Sequence, residues 1–236
     1  MSGCRVSGCR THPVRNNWPV IRAVIVDVDD TLCLTEAASF DLENEVLALL
    51  GRPPMPRDLH LATWGEPLLD AVPRRSPGVD PRRFAELFPA VHRRFLAEGR
   101  LDVIPPENLD ALDRLAGSGR TILLLTSRAE AEVGHLLEPG HALAARVTGA
   151  YHQGNTRFAK PDPRVFDELL AETGFRPEQC VYVGDSPGDA VAAGGAGLRF
   201  VACLQSGLRR LDEFDPRYVT AAVGAFPEIV PVIGAL

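Results

Sequence analysis

Four short apolar runs recur along the chain after residue 20, each bounded by charged or turn-forming residues. They are rich in β-branched residues and too short for helices, which is typical of strands covered on both faces of a sheet. The runs are "AVIVDV" (23–28), "TILLLT" (121–126), "CVYVG" (180–184) and "RFVACL" (199–204). The pattern therefore predicts four buried strands.

Helical patterns lie between these runs. Three segments carry apolar or small residues at helical spacing and have Pro or Gly near an end, at residues 107–119, 162–174 and 186–197. Strands that alternate with helices are characteristic of a parallel sheet with helices on both faces. We therefore predict an α/β fold with a doubly wound parallel sheet.

One region, from about Thr35 to Leu101, contains helical patterns and no strand-like run. Its apolar residues recur three or four apart in "EAASFDLENEVLALLG", "WGEPLLDAV" and "DPRRFAELFPAVHRRFLAEG". We interpret residues 36–101 as a helical cap domain inserted into a core domain of residues 20–35 and 102–236.

The first nineteen residues are polar and bear several arginines, so we interpret residues 1–19 as a disordered tail. The five cysteines are an odd number, which disfavours a disulfide framework and favours the cytoplasm. Cys4 and Cys9 lack a second pair of metal ligands nearby, which disfavours a zinc site. A net charge of −6 disfavours nucleic acid and anionic membranes as partners. No apolar run approaches the ~18 residues of a membrane span, so we expect a soluble protein.

Polar residues follow three of the predicted strands. In an open α/β sheet ligands bind beyond the carboxyl ends of the strands, so these residues are the first candidates for a site. They are Asp27, Asp29 and Asp30 after the first run, Thr126 and Ser127 at the end of the second, and Asp185 and Asp189 after the third. Taken singly, an Asp-rich turn or a helix N-cap explains each of them equally well.

Lys160 is the only lysine in the chain, whose other 24 basic Lys or Arg positions are all arginine. A solvated loop charge is one explanation, because exposed Lys and Arg are largely interchangeable. They differ near chemistry, where Lys acts as a compact point charge and Arg as a broad planar fork. The lone lysine therefore indicates a crowded site if the other candidates lie beside it.

Four segments in this order resemble the four motifs of the haloacid dehalogenase-like (HAD) hydrolase superfamily: "DVDDTL", "LLLTSR", "KPDPRVF" and "VYVGDSPGDA". The resemblance covers nearly the whole chain after residue 20 and implies a Rossmann-like core. The helical insertion resembles the C1 type of cap found in phosphoglycolate phosphatase-like and phosphomutase-like members. One departure is Asp30, where many phosphatases of the family carry Gly.

The resemblance implies a role for each matching residue. Asp27 would attack phosphorus to form an aspartyl phosphate, and Asp29 would protonate the leaving alcohol and later activate water. Thr126, Ser127 and Lys160 would bind the phosphoryl group. Residues 27 and 29 are two positions apart on an extended chain, which places both side chains on one face.

The resemblance also implies a Mg²⁺ site. Its ligands would be the carboxylates of Asp27 and Asp185 and the backbone carbonyl of Asp29, oxygen donors of the kind that Mg²⁺ prefers. Asp189 would orient Lys160 or a metal-bound water. A cation there would also relieve the repulsion among the carboxylates.

The leading interpretation is a Mg²⁺-dependent phosphatase acting on a small phosphorylated metabolite. The single lysine lies outside the cap, which excludes relatives that use a cap lysine for a Schiff base, and the acid at Asp29 disfavours a dehalogenase. A phosphomutase of the β-phosphoglucomutase type stays open, because it would share every core residue. A non-catalytic HAD scaffold stays open as well, although such a protein is expected to have lost the nucleophile or the lysine.

The cap offers candidates for substrate contact around "TWGEPL", a Gly-containing turn of the kind that C1 caps present to substrate. They are His60, Trp64 and Gly65, with Arg74 and Arg75 nearby. We expect Trp64 to be a packing residue and the two arginines to form a solvated face. The sequence leaves the leaving group and the oligomeric state open.

Overall fold

The structure is a computed structural model, and it describes residues 19–236 of the chain. The predicted tail, apart from Pro19, lies outside the described residues, and so do Cys4 and Cys9. The boundaries of the cap and core domains stay a prediction, although the structure shows how the corresponding elements pack.

Six parallel strands form one sheet, in the order β3-β2-β1-β4-β5-β6. The strands are β1 (Ala23–Val26), β2 (Thr121–Leu125), β3 (Gly149–Tyr151), β4 (Cys180–Gly184), β5 (Arg199–Cys203) and β6 (Ala221–Val223). The predicted doubly wound α/β fold is therefore confirmed. The four predicted strands are present, and three of them end one or two residues earlier than the apolar runs.

The sequence prediction missed the two outer strands, β3 and β6. Each has three residues, "GAY" and "AAV", of which only Tyr151 and Val223 are buried. Each pairs with a single neighbour at an edge of the sheet. Strands this short show no periodicity that distinguishes them from a loop.

The two faces of the sheet explain why the inner strands are continuously apolar. Val24 and Val26 belong to one apolar cluster and Ala23 and Ile25 to the other, as expected when successive side chains point to opposite faces. The helices of the sheet region are α5 (Pro106–Gly117), α6 (Glu130–Val133), α7 (Asp167–Thr173), α8 (Pro187–Gly195) and α9 (Ile229–Ala235). Short 3₁₀ turns at 134–137, 163–166, 177–179, 211–213 and 226–228 complete the loops.

Four helices lie between β1 and β2 and form the predicted helical insertion. They are α1 (Glu36–Leu49), α2 (Arg57–Ala62), α3 (Leu68–Arg75) and α4 (Pro81–Ala97). They have an apolar cluster of their own, which includes Val46, Phe84 and Phe95. Among residues 19–236, no helix is both long enough and apolar enough to cross a membrane.

The helix predicted from Trp64 onward begins later than expected. Gly65 has a φ of +89°, and Pro67 takes an extended backbone conformation, so the helical turns start at Leu68. Residues 64–67 form a turn between α2 and α3 instead. This turn brings Trp64 and Gly65 to the lining of a cavity between the helical insertion and the sheet.

Candidate active site

Asp27 and Asp185 lie side by side because they follow neighbouring strands. β1 and β4 pair in parallel with Val26 opposite Val183, and the Asp27 N–H donates to the Val183 carbonyl at 2.9 Å. The strand order reverses between β1 and β4, which is the point where open α/β sheets bind their ligands. The first and third clusters of polar residues thus meet at the expected edge.

Lys160 reaches this pair from the segment after β3. Its Nζ lies 3.0 Å from Asp27 Oδ1, 2.7 Å from Asp189 Oδ1 and 3.0 Å from the Tyr182 hydroxyl. Burial lowers the pKa of Lys160, but the charges of Asp189 and Asp27 outweigh it and hold that pKa well above its ordinary value. The lone lysine is therefore an ammonium ion enclosed by two carboxylates.

Asp27, Asp185 and Asp189 form a buried carboxylate cluster. One oxygen from each lies within 4.8 Å of the others. Burial raises the pKa of Asp27 to about 7, against the opposing charge of Lys160 and with the charges of Asp189 and Asp29 adding to it. Burial and the charges of Asp189 and Asp27 raise the pKa of Asp185 well above its ordinary value. Crowded oxygen donors of this kind fit a hard divalent cation, which would offset their repulsion.

Asp189 is held rigidly at the first turn of α8. Ser186 donates to Asp189 Oδ2 from its hydroxyl at 2.7 Å and from its N–H at 3.0 Å, and the Tyr182 hydroxyl donates to Oδ1 at 3.0 Å. A Cβ at Gly184 would lie 2.7 Å from Asp189 Oδ2, so this position needs glycine. Asp189 thereby fixes the position of Lys160.

Asp29 pairs with Arg128. The guanidinium donates from Nη2 to Asp29 Oδ1 at 2.7 Å and from Nε to Oδ2 at 3.1 Å. The same Nη2 contacts Asp102 Oδ1 at 2.5 Å, and His135 Nε2 contacts Asp102 Oδ2 at 2.6 Å. Asp102 lies where the chain leaves the helical insertion, so Arg128 connects Asp29 to that linker.

Asp30 connects the sheet to the start of the insertion. Its Oδ1 accepts hydrogen bonds from the N–H groups of Thr35 at 3.0 Å and Glu36 at 3.2 Å, while Trp64 Nε1 donates to Oδ2 at 2.6 Å. Asp30 has a φ of +54°, a conformation that glycine adopts without strain and that Asp tolerates better than most residues. The departure from Gly therefore keeps the backbone turn and adds a carboxylate that binds Trp64.

A cavity of about 930 Å³ lies between the sheet and the insertion. Most of the sequence-predicted site residues line it: Asp27, Asp29, Ser127, Lys160, Asp185, Trp64 and Gly65. Thr126 lies beside this lining at the end of β2, with 4% of its surface exposed and its hydroxyl accepting from the Arg128 N–H at 3.2 Å. The structure thus brings all four motifs to the cavity wall, the second of them through Ser127, and places Thr126 beside that wall.

His60 lies inside the helical insertion. It is fully buried between Glu36, at 2.6 Å from Nδ1, and Glu43, at 3.3 Å from Nε2, and its ring centre lies 5.2 Å from that of Trp64. Among the cap candidates, Trp64 and Gly65 reach the cavity and His60 packs behind Trp64.

The expectation of a solvated face is wrong for Arg75. Arg75 is 2% exposed, and its Nη1 contacts both Glu43 oxygens, at 2.8 and 2.7 Å. It also donates to the hydroxyl and the carbonyl of Thr63, at 2.7 and 2.9 Å. The correction arises because an acidic partner from α1 faces α3. Arg74, in contrast, keeps an exposed side chain and pairs with Glu66.

Sequence reasoning did not identify Arg128, Asp102, Tyr182 or Arg209 as site residues. Arg128 is the last residue of the second motif, which was a usable signal, because a side chain just beyond the end of an inner strand is expected near the others. Tyr182 is one of five apolar letters in β4, and nothing in that run distinguishes its hydroxyl. Asp102 pairs with partners distant in sequence, which the sequence pattern does not show.

A family model described as haloacid dehalogenase-like hydrolase matches residues 21–197 of the 236-residue chain. The chain belongs to this family. The phosphoglycolate phosphatase of Rhodospirillum rubrum is 31% identical over 192 residues, covering 76% of this chain and 78% of that protein. Protein CbbY of Rhodobacter capsulatus is 28% identical over 227 residues, covering 89% and 99% respectively.

The solved structures agree with this assignment at the level of the fold. The crystal structure of CbbY from Rhodobacter sphaeroides in complex with phosphate matches with a TM-score of 0.72 at 23% identity, covering 89% of this chain and 96% of that chain. The HAD-like chain described here is therefore an enzyme, and its relatives together with its four motifs place it among the phosphatases of the family.

Proposed function

We propose that this HAD-like phosphatase hydrolyses a small-molecule phosphate monoester with the help of Mg²⁺ and through an aspartyl phosphate on Asp27. The observation that supports this most strongly is the 3.0 Å contact between Lys160 Nζ and Asp27 Oδ1 at a cavity wall shared with Asp185. A carboxylate that faces both an ammonium ion and an open cavity is suited to attack on phosphorus.

In the first half of the proposed reaction, an Asp27 oxygen attacks phosphorus and the bond from phosphorus to the leaving oxygen breaks. Asp29 gives its proton to that oxygen. In the second half, Asp29 takes a proton from a water molecule, whose oxygen attacks phosphorus and releases Asp27. The Asp29 side chain is 30% exposed and lines the cavity, so it is accessible for both proton transfers.

Lys160 and the end of β2 bind the phosphoryl group in this proposal. Lys160 adds a positive charge beside the attacking oxygen, where negative charge moves during transfer. Ser127 lines the cavity, and Thr126 orients the same turn through its contact with the Arg128 N–H. The proposal assigns phosphoryl oxygens to the Thr126 and Ser127 side chains and to an amide of this turn.

Asp27, Asp185 and the backbone carbonyl of Asp29 would hold Mg²⁺, with Asp189 behind them. When bound, Mg²⁺ would offset the charge of the clustered carboxylates and polarise a phosphoryl oxygen. The fit rests on the three carboxylate oxygens within 4.8 Å and on the raised pKa values of Asp27 and Asp185, which a nearby cation would lower again. Asp189 keeps Lys160 in place through their 2.7 Å contact.

The substrate in this proposal is a small phosphorylated metabolite that fits beneath Trp64 and Gly65, the cap residues that line the cavity. His60 would act on the substrate indirectly, by supporting the Trp64 ring. The phosphoglycolate phosphatase name of one relative supports a small leaving group. We further propose that the enzyme works in the cytoplasm, in keeping with three buried free thiols, Cys33, Cys180 and Cys203.

The test is phosphate release from p-nitrophenyl phosphate with added Mg²⁺, followed by a panel of phosphate esters. We expect turnover that stops with EDTA, returns with Mg²⁺ and is lost in Asp27→Asn. Phosphate that passes between two positions of a sugar without release would instead indicate a phosphomutase. A folded protein with neither activity would contradict the proposal.

A further inference from the structure

Arg209 lines the same cavity as Lys160 and Asp27, but from the segment between β5 and β6. It also lines a smaller cavity of about 160 Å³, whose other walls are Leu61, Trp64, Gly207 and Leu208. Trp64 and Arg209 are shared by the two cavities. Residues of the segment between β5 and β6 and of the helical insertion therefore line both cavities together.

The other lysine and arginine side chains of the large cavity are already neutralised. Within residues 19–236, Arg75, Arg128 and Lys160 each form an ion pair at 2.7 Å with a carboxylate. Arg209 differs, because its Nη1 lies 3.7 Å from the nearest Glu213 oxygen, which is too long for a hydrogen bond. Its Nε is buried and has no hydrogen-bond partner among the described residues.

The Arg209 side chain is 29% exposed, lines both cavities and has no carboxylate within hydrogen-bond distance among the described residues, so the geometry leaves its guanidinium open to an anion supplied from the cavity. The planar guanidinium binds a carboxylate or a phosphate through two parallel hydrogen bonds. Leu61, Trp64 and Leu208 give the smaller cavity apolar walls beside Arg209, which offer no competing acceptor. The nearby cavity residue Glu66 is paired with Arg74, so it does not occupy this role.

We propose that Arg209 binds a second anionic group, a carboxylate or a second phosphate, at the far end of the leaving group. This inference rests on the proposed phosphatase function and names the class of ester that the enzyme prefers. In this proposal the transferred phosphoryl group binds at Lys160 and Asp27, and the distal anion binds at Arg209. Trp64, which lines the same two cavities as Arg209, lies at the distal end of the substrate. Arg209 is thus a specificity-determining residue and takes no part in bond breaking.

The experiment compares matched esters that differ in distal charge. The first arm uses ω-carboxyalkyl phosphates with two to six carbons, and the second uses the corresponding alkanediol bisphosphates. The reference arm uses the first set of compounds with the carboxyl group converted to its methyl ester, so that the distal end carries no charge. We expect at least one chain length at which the wild-type kcat/KM favours an anionic substrate over its methyl ester by about tenfold or more. The favoured arm identifies the distal group as carboxylate or phosphate, and the favoured length reports its distance from the reacting phosphorus.

Arg209→Gln should reduce that preference to about twofold or less, mainly through a higher KM for the anionic ester, because the lost contact is the same in the ground and transition states. Arg209→Lys should keep part of the preference. The matched control is Arg210→Gln, since Arg210 is the next residue, is exposed and pairs with Asp212. It should keep the full preference. Circular dichroism and melting temperature establish that each variant is folded.

A wild-type enzyme that hydrolyses the methyl esters and shows no preference for an anion at any length would contradict the second-anion site alone. Retention of the preference in Arg209→Gln would contradict the assignment to Arg209. Folded wild-type protein that hydrolyses none of the three arms would contradict the proposed function, and the inference with it. The methyl ester arm therefore separates the two failures.

Discussion

Replacement of Lys160 by Arg keeps the positive charge and changes its shape. In the structure one nitrogen, Nζ, contacts Asp27, Asp189 and the Tyr182 hydroxyl at 3.0, 2.7 and 3.0 Å. The Lys160 side chain is 11% exposed, so the space around the ammonium is almost filled. Every other basic position among the 25 Lys and Arg residues is arginine, which shows that the chain accommodates Arg widely.

The expected size of the effect follows from geometry. A guanidinium spreads its nitrogens over a plane, so none of them can occupy the position of Nζ and contact all three partners. It is expected to grip one carboxylate through two hydrogen bonds and to extend into the space that the phosphoryl group needs. Loss of one pre-positioned donor commonly lowers turnover by about 10²–10³-fold. We therefore predict a decrease in kcat/KM of at least about a hundredfold, or about 2.7 kcal/mol of transition-state stabilisation.

The assay is steady-state hydrolysis of the best ester from the panel, at saturating Mg²⁺. The melting temperature, measured in parallel, should change by only a few degrees, because the charge is kept and the longer side chain can extend into the cavity that Lys160 lines. The control is Arg164→Lys, four residues away, where the side chain is 59% exposed and pairs with Asp162. That variant should remain within about twofold of the parent. A Lys160→Arg enzyme within about threefold of the parent would refute the role given to Lys160.

Three further changes test other parts of the structure. Arg128→Gln should lower kcat at least about tenfold, because Asp29 loses its bidentate partner. Phosphate release at saturating substrate measures this, and a kcat equal to that of the parent would contradict the positioning of Asp29 by Arg128. Burial raises the pKa of Asp102, but the hydrogen bonds and charges of His135 and Arg128 outweigh it and lower that pKa from 3.8 to about 2. The carboxylate therefore stabilises the fold above about pH 4 and loses this effect toward pH 2. In denaturant titrations, Asp102→Asn should lower the free energy of unfolding by about 2 kcal/mol at pH 6 and by much less at pH 2. An equal loss at both pH values would contradict this assignment. Replacement of residues 36–101 by a short Gly/Ser linker should leave the sheet folded by circular dichroism and abolish selectivity among esters, whereas a wholly unfolded product would contradict the proposed domain boundary.

The inner part of the fold is accessible to sequence reasoning because its strands are buried on both faces. β1, β2, β4 and β5 each appear as a continuous apolar run, and helical patterns separate them. The edge strands β3 and β6 are recognisable only through their pairing with β2 and β5. Backbone pairing is a tertiary property, and a three-residue strand carries too little side-chain pattern to reveal it.

The same distinction holds for the candidate site. We predict that Asp27 and Asp185 meet because parallel strands end at one edge of the sheet, and the resemblance to the HAD family implies Lys160 beside them; the structure places all three together. The pairing of Arg128 with Asp102 could not be predicted, because it depends on how the linker after α4 passes the end of β2. Ion pairs between distant residues follow from packing and leave no periodic trace in the sequence.

The buried arginine of the insertion illustrates this point further. Two adjacent arginines, 74 and 75, have the same local pattern, yet one is exposed and the other is 2% exposed. Burial of Arg75 depends on Glu43 from α1, which satisfies the guanidinium with both oxygens. A charged residue is buried when a partner offsets its desolvation, and the sequence alone does not identify that partner.

The most direct test of the central claim is to trap and locate the phosphorylated intermediate. The enzyme is mixed with its best ester and Mg²⁺, quenched in acid within milliseconds, reduced with borohydride to mark acyl phosphates and digested for mass spectrometry. We expect a modification at Asp27 that forms at a rate compatible with kcat and is absent from Asp27→Asn. Full turnover without a phosphorylated residue, or a label on any residue other than Asp27, would contradict it.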